Sequence, residues 1–273
     1  MSDDTVVVGL TSIDLEKDAC VKGLTTRTIG CIIHFHDVVT STNELAREMA
    51  EGGAREGTVI IANSQSEGKG RNERRFHSPR GGIYLSIVLR PSLGPDEISV
   101  LPLVMGLAVS KAIQCTTFTE ARLKWPNDVL IDGKKVSGIM TRSSVKGRNV
   151  EHVIVGIGIN VNTSLDDLPE DIRQSSTSLR DVSGTDIDPN QFARDLLYFL
   201  DLVYSQFIDG QKEDLLDQWS SRSDTIGEEV RVLTSGGDVF GRALGLDQTG
   251  ALVVRTDSGL ERISSGDCIK LSA

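Results

Sequence analysis

The spacing of apolar residues divides the chain into two textures. From Cys31 to Val39 (CIIHFHDVV) apolar and polar positions alternate, which predicts a strand. In the following TSTNELAREMAEGG, Leu45 and Met49 fall one helical turn apart. Ser41 and Glu44 have the spacing of a capping box there, and Gly52–Gly53 supplies a stop, so this segment predicts a helix. Short apolar runs at Thr58–Ala62 (TVIIA) and Ile83–Leu89 (IYLSIVL) predict two buried strands. From Pro95 to about Thr117, the residues Ile98, Leu101, Met105, Val109 and Ala112 share one apolar helix face. In ARLKWPNDVLIDGKKVSGIM, two short strands flank an Asp132–Gly133 turn, and Trp125–Pro126 breaks the first of them. The nearly continuous apolar run Val150–Val161 predicts a strand buried on both faces. Asp188–Pro189 opens a long amphipathic helix to about Ile208, striped by Phe192, Leu196, Phe199, Val203 and Phe207, and a shorter helix runs to about Trp219. After Ser223 the texture changes to five short strands separated by SGGD, DQTG, DSG and SGD, the pattern of a small β-barrel. The expected division is a lead-in segment over residues 1–25, with the apolar run Val6–Val8, then an α/β unit over 26–222 and a β unit over 223–273.

With 273 residues and 38% hydrophobic content, the chain can bury a substantial core. No apolar run reaches membrane-spanning length, and the start MSDDTVVVGL has no basic segment before its apolar residues. These features point to the cytoplasm. Cys20, Cys31, Cys115 and Cys268 are scattered without a CxxC pair, as expected of reduced thiols. The formal net charge of −10 makes the chain a poor general binder of nucleic acid.

Against that acidic background one stretch stands out. Gln65–Ser86 (QSEGKGRNERRFHSPRGGIYLS) sets Gly68, Gly70, Gly81 and Gly82 among Lys69, Arg71, Arg74, Arg75 and Arg80. Glycine permits close backbone approach, and arginine offers a planar fork suited to phosphate or carboxylate. The plain alternative is a solvated surface loop; the functional one is a cradle for an anion, held at both ends by strands. Ser41, Thr42 and Asn43 either cap their helix or present hydroxyls and amides to a ligand. Lys135 alone is an ordinary solvated lysine after a turn. His34 and His36 share a strand face without an evident third ligand, so they read as strand histidines. Gly156-x-Gly158 lacks the third glycine of a dinucleotide fingerprint, and Gly68-Lys69 is not followed by the Ser or Thr of a Walker A loop.

Taken in order, TSTNE at 40–44, the Gly68–Arg71 loop with SPRGGIYLS, LKWPNDVL at 123–130, GKKVSGIM at 133–140 and GIGINVN at 156–162 resemble the biotin protein ligase family, and STSL at 176–179 also fits. The resemblance runs from about Thr26 to the C-terminus. It implies an α/β (α+β) fold: a mixed-sheet, class II synthetase-like catalytic domain followed by an SH3-like β-barrel. It implies ligation of biotin, activated by ATP as biotinyl-5′-AMP, to one lysine of a biotin carboxyl carrier protein. Lys135 and Arg71 would be catalytic. Ser41, Thr42, Asn43, Gln65, Lys69, Gly70, Arg71 and Lys135 would hold biotin; Arg71, Arg74, Phe76 and Asn160 would hold the nucleotide; Asp128 would help position Mg²⁺. Three departures stand out: Lys69 where the loop usually has arginine, Phe76 for the usual tryptophan, and Arg142 near a common glutamate. The winged helix of some relatives is missing from the sequence, so no DNA partner is expected, and no membrane partner either; a homodimer fits the family. A lipoate-type acyl ligase and a biotin-responsive regulator are the alternatives. KWPND argues against the first, and the missing helix-turn-helix against the second.

Overall fold

A computed structural model describes residues 14–147 and 149–271, so Val6–Val8 lies outside the described residues. Its main sheet has seven strands: β1 (Ile32–Val39), β2 (Thr58–Gln65), β3 (Ile83–Leu89), β4 (Arg122–Lys124), β5 (Asp128–Ile131), β6 (Lys134–Lys146) and β7 (Asn149–Ile159), in the order β1-β2-β3-β7-β6-β5-β4. Only β1 and β2 pair in parallel, which demands a crossover, and the chain between them carries one as a helix at Thr42–Glu51. The other neighbours are antiparallel. The turn joining β5 to β6 has Asp132 at φ 49° and Gly133 at φ 74°, the left-handed pair that a two-residue hairpin turn requires. β2 and β3 are joined by the cation loop, which therefore springs from two fully hydrogen-bonded strands. β6 is a long strand of 13 residues, not the short one the sequence suggests.

Helices cover both faces of the sheet. In chain order they are α1 (Lys17–Val21), α2 (Thr42–Glu51), α3 (Pro95–Ile98), α4 (Leu101–Thr117), α5 (Glu170–Arg173), α6 (Leu179–Ser183), α7 (Pro189–Ile208) and α8 (Lys212–Ser221). α2 lays Ala46 and Ala50 on Ile60, Val88 and Ile154 of one face. α4 lies on the opposite side, packed on the sheet and against α7. The expected single helix from Pro95 is two: Pro102 has no N–H to donate to residue 98 and is suited to a first turn, so the chain restarts at Leu101. By length and composition alone, Pro95–Thr117 could cross a membrane, contrary to the reading that no apolar run is long enough. Yet 72% of its most apolar window is buried inside the protein, which makes it a core element.

Strands β8 (Glu229–Thr234), β9 (Gly237–Leu246), β10 (Leu252–Thr256), β11 (Gly259–Ile263) and β12 (Asp267–Lys270) form an antiparallel sheet ordered β11-β10-β9-β8-β12. It is fastened to the main body. Trp125, buried to 1% exposure, donates from Nε1 to the Gly250 carbonyl at 3.0 Å and from its backbone to Thr225 Oγ1 at 3.0 Å. Val230, Val232, Leu252 and Val254 belong to the same apolar cluster as α4 and the main sheet.

The described part of the lead-in is fastened too. Leu15 exchanges hydrogen bonds with the Asn63 side chain, and α1 packs on α7. Asp201 of α7 is 6% exposed and accepts from the backbone N–H groups of Arg27, Thr28 and Ile29 at 2.7–2.8 Å. Asp201→Asn keeps the shape but turns an amide N–H₂ toward one of these donors. Hydrogen bonds to a charged group contribute roughly 1.5–3 kcal/mol each, so a loss of about 2–3 kcal/mol is expected in a urea titration.

Candidate functional site

The cation loop, the first turn of α2 and the facing strands β6 and β7 enclose a cavity of about 280 Å³. Its floor follows from register. Gly138 of β6 stands opposite Gly158 of β7, and Met140 opposite Gly156. A Cβ at Gly156 would sit 2.3 Å from Asn43 Oδ1, and one at Gly158 would sit 2.3 Å from the Phe76 ring. The GIGIN glycines thus act as floor: Asn43 and Phe76 rest directly on strand backbone there.

Asn43, Thr42, Gln65 and Ser86 form one polar network at one end. Gln65 Oε1 accepts from the Thr42 backbone N–H (2.8 Å) and Thr42 Oγ1 (3.1 Å), while Gln65 Nε2 donates to Ser78 Oγ (2.9 Å). Ser86 Oγ lies 2.8 Å from Thr42 Oγ1 and 3.1 Å from Asn43 Oδ1. Phe76 meets Tyr84 edge-on, with ring centroids 6.3 Å apart. Opposite, Asn160 Nδ2 donates to the Thr177 carbonyl (3.0 Å), beside the apolar Leu168 and Ile172 of the lining.

Positive charge enters from three sides, and each cation is held by an acceptor of the protein. Lys69 donates to Glu44 Oε1 at 2.8 Å. That hydrogen bond, helped by Arg47 and opposed by partial burial, holds the Glu44 carboxyl below the usual range. Arg71 donates to Asn127 Oδ1 at 2.9 Å and to the Gly266 carbonyl at 3.3 Å. Arg74 pairs with Asp267. The Lys135 ammonium stands 2.6 Å from Asp128 Oδ1 as an ion pair, without the alignment of a hydrogen bond, and 6.0 Å from the Phe76 ring centre. The Lys135 backbone is laddered to the start of the STSL segment, donating to the preceding Ser175 and accepting from Thr177.

Thr42, Asn43, Gln65, Lys69, Gly70, Arg71, Arg74, Phe76, Asp128, Lys135 and Asn160 all line the cavity. Ser41 does not: it is 2% exposed and its hydroxyl has no partner. It also makes no capping box, because Glu44 is turned outward to Lys69 and Arg47. Residue-by-residue reading missed Asn127, Ser86, Glu44 and Asp267. Asn127 stands within the quoted LKWPNDVL, whereas Asp267 has no local signal. Among the described residues no group of three or more His, Cys, Asp or Glu side chains could hold a metal.

These contacts generate a test. Gly158→Ala should push the Phe76 ring off the floor, while its ordinary backbone angle leaves the strand intact. A melting temperature within a few degrees of wild type is expected and, if Phe76 holds the nucleotide as the family resemblance implies, ATP affinity weakened about tenfold or more in calorimetry.

The profile of the Biotin/lipoate A/B protein ligase family matches residues 35–160, and that of the Biotin protein ligase C terminal domain matches residues 225–271. The bifunctional ligase/repressor BirA of Bacillus subtilis is 35% identical over 246 residues, covering 90% of this chain and 76% of the relative. The biotin–[acetyl-CoA-carboxylase] ligase of Mycobacterium tuberculosis is 33% identical over 245 residues, covering 86% of this chain and 88% of the relative. The Aquifex aeolicus biotin protein ligase solved with biotin and ATP superposes with a TM-score of 0.77 at 32% identity, over 89% of this chain and 100% of that one. The chain belongs to the biotin protein ligase family.

Proposed function

We propose that the chain activates biotin with ATP and passes it to a lysine of a carboxylase's biotin carboxyl carrier protein. The observation that supports this best is the convergence of Arg71, Arg74 and Lys135 on a cavity whose other walls are a uncharged polar network and an aromatic–apolar slot. Biotin's carboxylate and the α-phosphate of ATP are both anions, so their approach needs cations between them. In the first step a biotin carboxylate oxygen attacks the α-phosphorus and the bond to the β-phosphate oxygen breaks. Biotinyl-5′-AMP and pyrophosphate result. In the second, the neutral amine of the acceptor lysine attacks the acyl carbon, AMP leaves with the bonding electrons, and the amine gives up a proton.

Each wall has a role in this reading. Thr42, Asn43 and Gln65 present donors and acceptors to the ureido ring, with Lys69 and Gly70 closing over it. Lys135 bridges carboxylate and α-phosphate, and Arg71 and Arg74 hold the phosphate oxygens. Phe76 gives adenine a stacking face and Asn160 an edge. Mg²⁺ would enter with the triphosphate and offset its charge, and Asp128 would be the carboxylate that helps hold it once Lys135 turns to the phosphate. Burial pushes the nearby Cys268 thiol up to about 11, so it stays protonated at neutral pH and does not compete for the acyl group.

The reading extends to a catalytic unit over 26–222 with a β unit over 223–273, to a cytoplasmic location where ATP is supplied, to a homodimer testable by sedimentation, and to the absence of DNA binding. The matched BirA proteins are named ligase/repressors. The net charge of −10 nevertheless disfavours DNA. No sequence-specific mobility shift is expected at physiological salt, with or without biotin and ATP; a specific shift would revive the regulator alternative.

The decisive assay is biotin-dependent exchange of labelled pyrophosphate into ATP. Lys135→Ala should lower exchange about 10²–10³-fold with little change in melting temperature, since a half-exposed lysine adds little stability. Lys134→Ala, on the outward side of β6, should exchange like wild type. Wild-type exchange in Lys135→Ala would remove that residue from the mechanism.

A further inference from the structure

Two of the cation loop's four arginines, Arg71 and Arg74, end on the C-terminal sheet. Arg74 Nη2 donates to Asp267 Oδ2. Arg71 Nη1 donates to the Gly266 carbonyl at 3.3 Å and stands 3.9 Å from Asp267 Oδ1. Asp267 opens β12, where the ladder with β8 fixes it opposite Leu233. Its carboxylate borders both the ligand cavity and a second, open cleft between Trp125–Asp128 and the C-terminal sheet.

This carboxylate comes from 193 residues beyond Arg74 in the chain. Two neighbouring guanidinium groups repel, and a shared anion draws them together. The bonds from Arg71 to Asn127 and Gly266 use Nη1 alone, so the rest of its fork remains for a ligand. The loop's own backbone bonds, Gly70 to Arg74 and Phe76 to Gly68, close its neck but do not fix its tip to the body. The tip is fixed by Asn127, Gly266 and Asp267.

We infer that Asp267 is a positioning residue of the ligation site. It gathers Arg71 and Arg74 into the closed position of the loop, so the C-terminal sheet supplies the catch against which the loop shuts over the acyl adenylate. The identity of that ligand rests on the proposed ligase reading; the catch itself rests on the ion pairs alone.

Limited trypsin digestion of the ligand-free full chain reads the catch without turnover. Asp267→Asn keeps the side chain's shape and removes its charge. Cleavage at Arg71, Arg74 and Arg75 is expected about fivefold faster than in wild type at low salt, in line with half-exposed ion pairs. High salt should close most of that gap by screening the pair. Asp267→Glu should restore most of the protection. In the ligation assay Asp267→Asn should raise the KM for ATP more than it lowers kcat, and preformed biotinyl-5′-AMP should escape about fivefold faster.

Equal trypsin rates for wild type and Asp267→Asn at low salt, or a gap that salt leaves unchanged, would overturn the catch. If the Asn variant fails to melt like wild type, wild type and Asp267→Glu across the salt series carry the test, and a salt-independent rate in both overturns it. A wild type that makes no adenylate sinks the ligase reading instead, while the digestion result still decides the catch.

Discussion

Cations gathered around one cavity must be kept from repelling one another before any ligand arrives, and the rest of this site is arranged around that constraint. Lys69, Arg71, Arg74 and Lys135 line a common space. Glu44, Asp267 and Asp128 stand among them, with Asn127 as a neutral acceptor. The pairs are half-exposed, with side-chain exposures such as 37% for Lys135 and 24% for Asp128. Pairs in that setting are weak and exchangeable. Such carboxylates hold the donors in position without binding them so firmly that a phosphate or carboxylate cannot take their place. A preorganised polar site of this kind costs little rearrangement when charge develops on the ligand.

Space for the ligand is set by a different device. The β6–β7 pairing brings Gly138 against Gly158 and Met140 against Gly156, so three of these four floor positions carry no side chain and leave room for Asn43 and Phe76. The same strands are deeply buried beneath, with Val153, Val155, Ile157 and Ile159 all in the core. The floor is therefore rigid because its underside is packed, and open because its upper side is mostly glycine beside Met140. The loop above it carries few apolar residues, so its order depends on electrostatics and on Phe76 resting against the floor.

These differences explain what the chain disclosed on reading. Apolar periodicity located the strands and the long helices, since those elements owe their form to burial, and burial is written locally. The loop was visible because five cations among glycines are unusual in an acidic chain. The break before Leu101 was hidden because the apolar face continues through it, and only Pro102 marks it. Glu44 is ambiguous in sequence, because three-residue spacing from a serine fits a capping box and an outward-facing loop anchor equally well, and the structure has the second. The resemblance puts Ser41 in the site, but its hydroxyl is buried and Ser41 is not part of the cavity lining. Asp267 could not be found at all, because its partners are far away in sequence and no periodicity records a contact between separate sheets.

The segment LKWPNDVL shows why the two textures of the chain do not make two independent bodies. Trp125 reaches into the C-terminal sheet, donating to Gly250. Two residues later Asn127 accepts from Arg71 and donates to the Ile139 carbonyl of the floor strand at 2.8 Å. The next residue, Asp128, faces Lys135. Three residues within four positions, Trp125, Asn127 and Asp128, thus touch the second sheet, the cation loop, the cavity floor and the lysine. A strain or shift at any one of them is felt by the others through a few bonds. That economy accounts for a short stretch of mixed polar and aromatic residues where burial alone would have called for a plain strand. It also makes the C-terminal sheet a wall of the site as much as a neighbour of it.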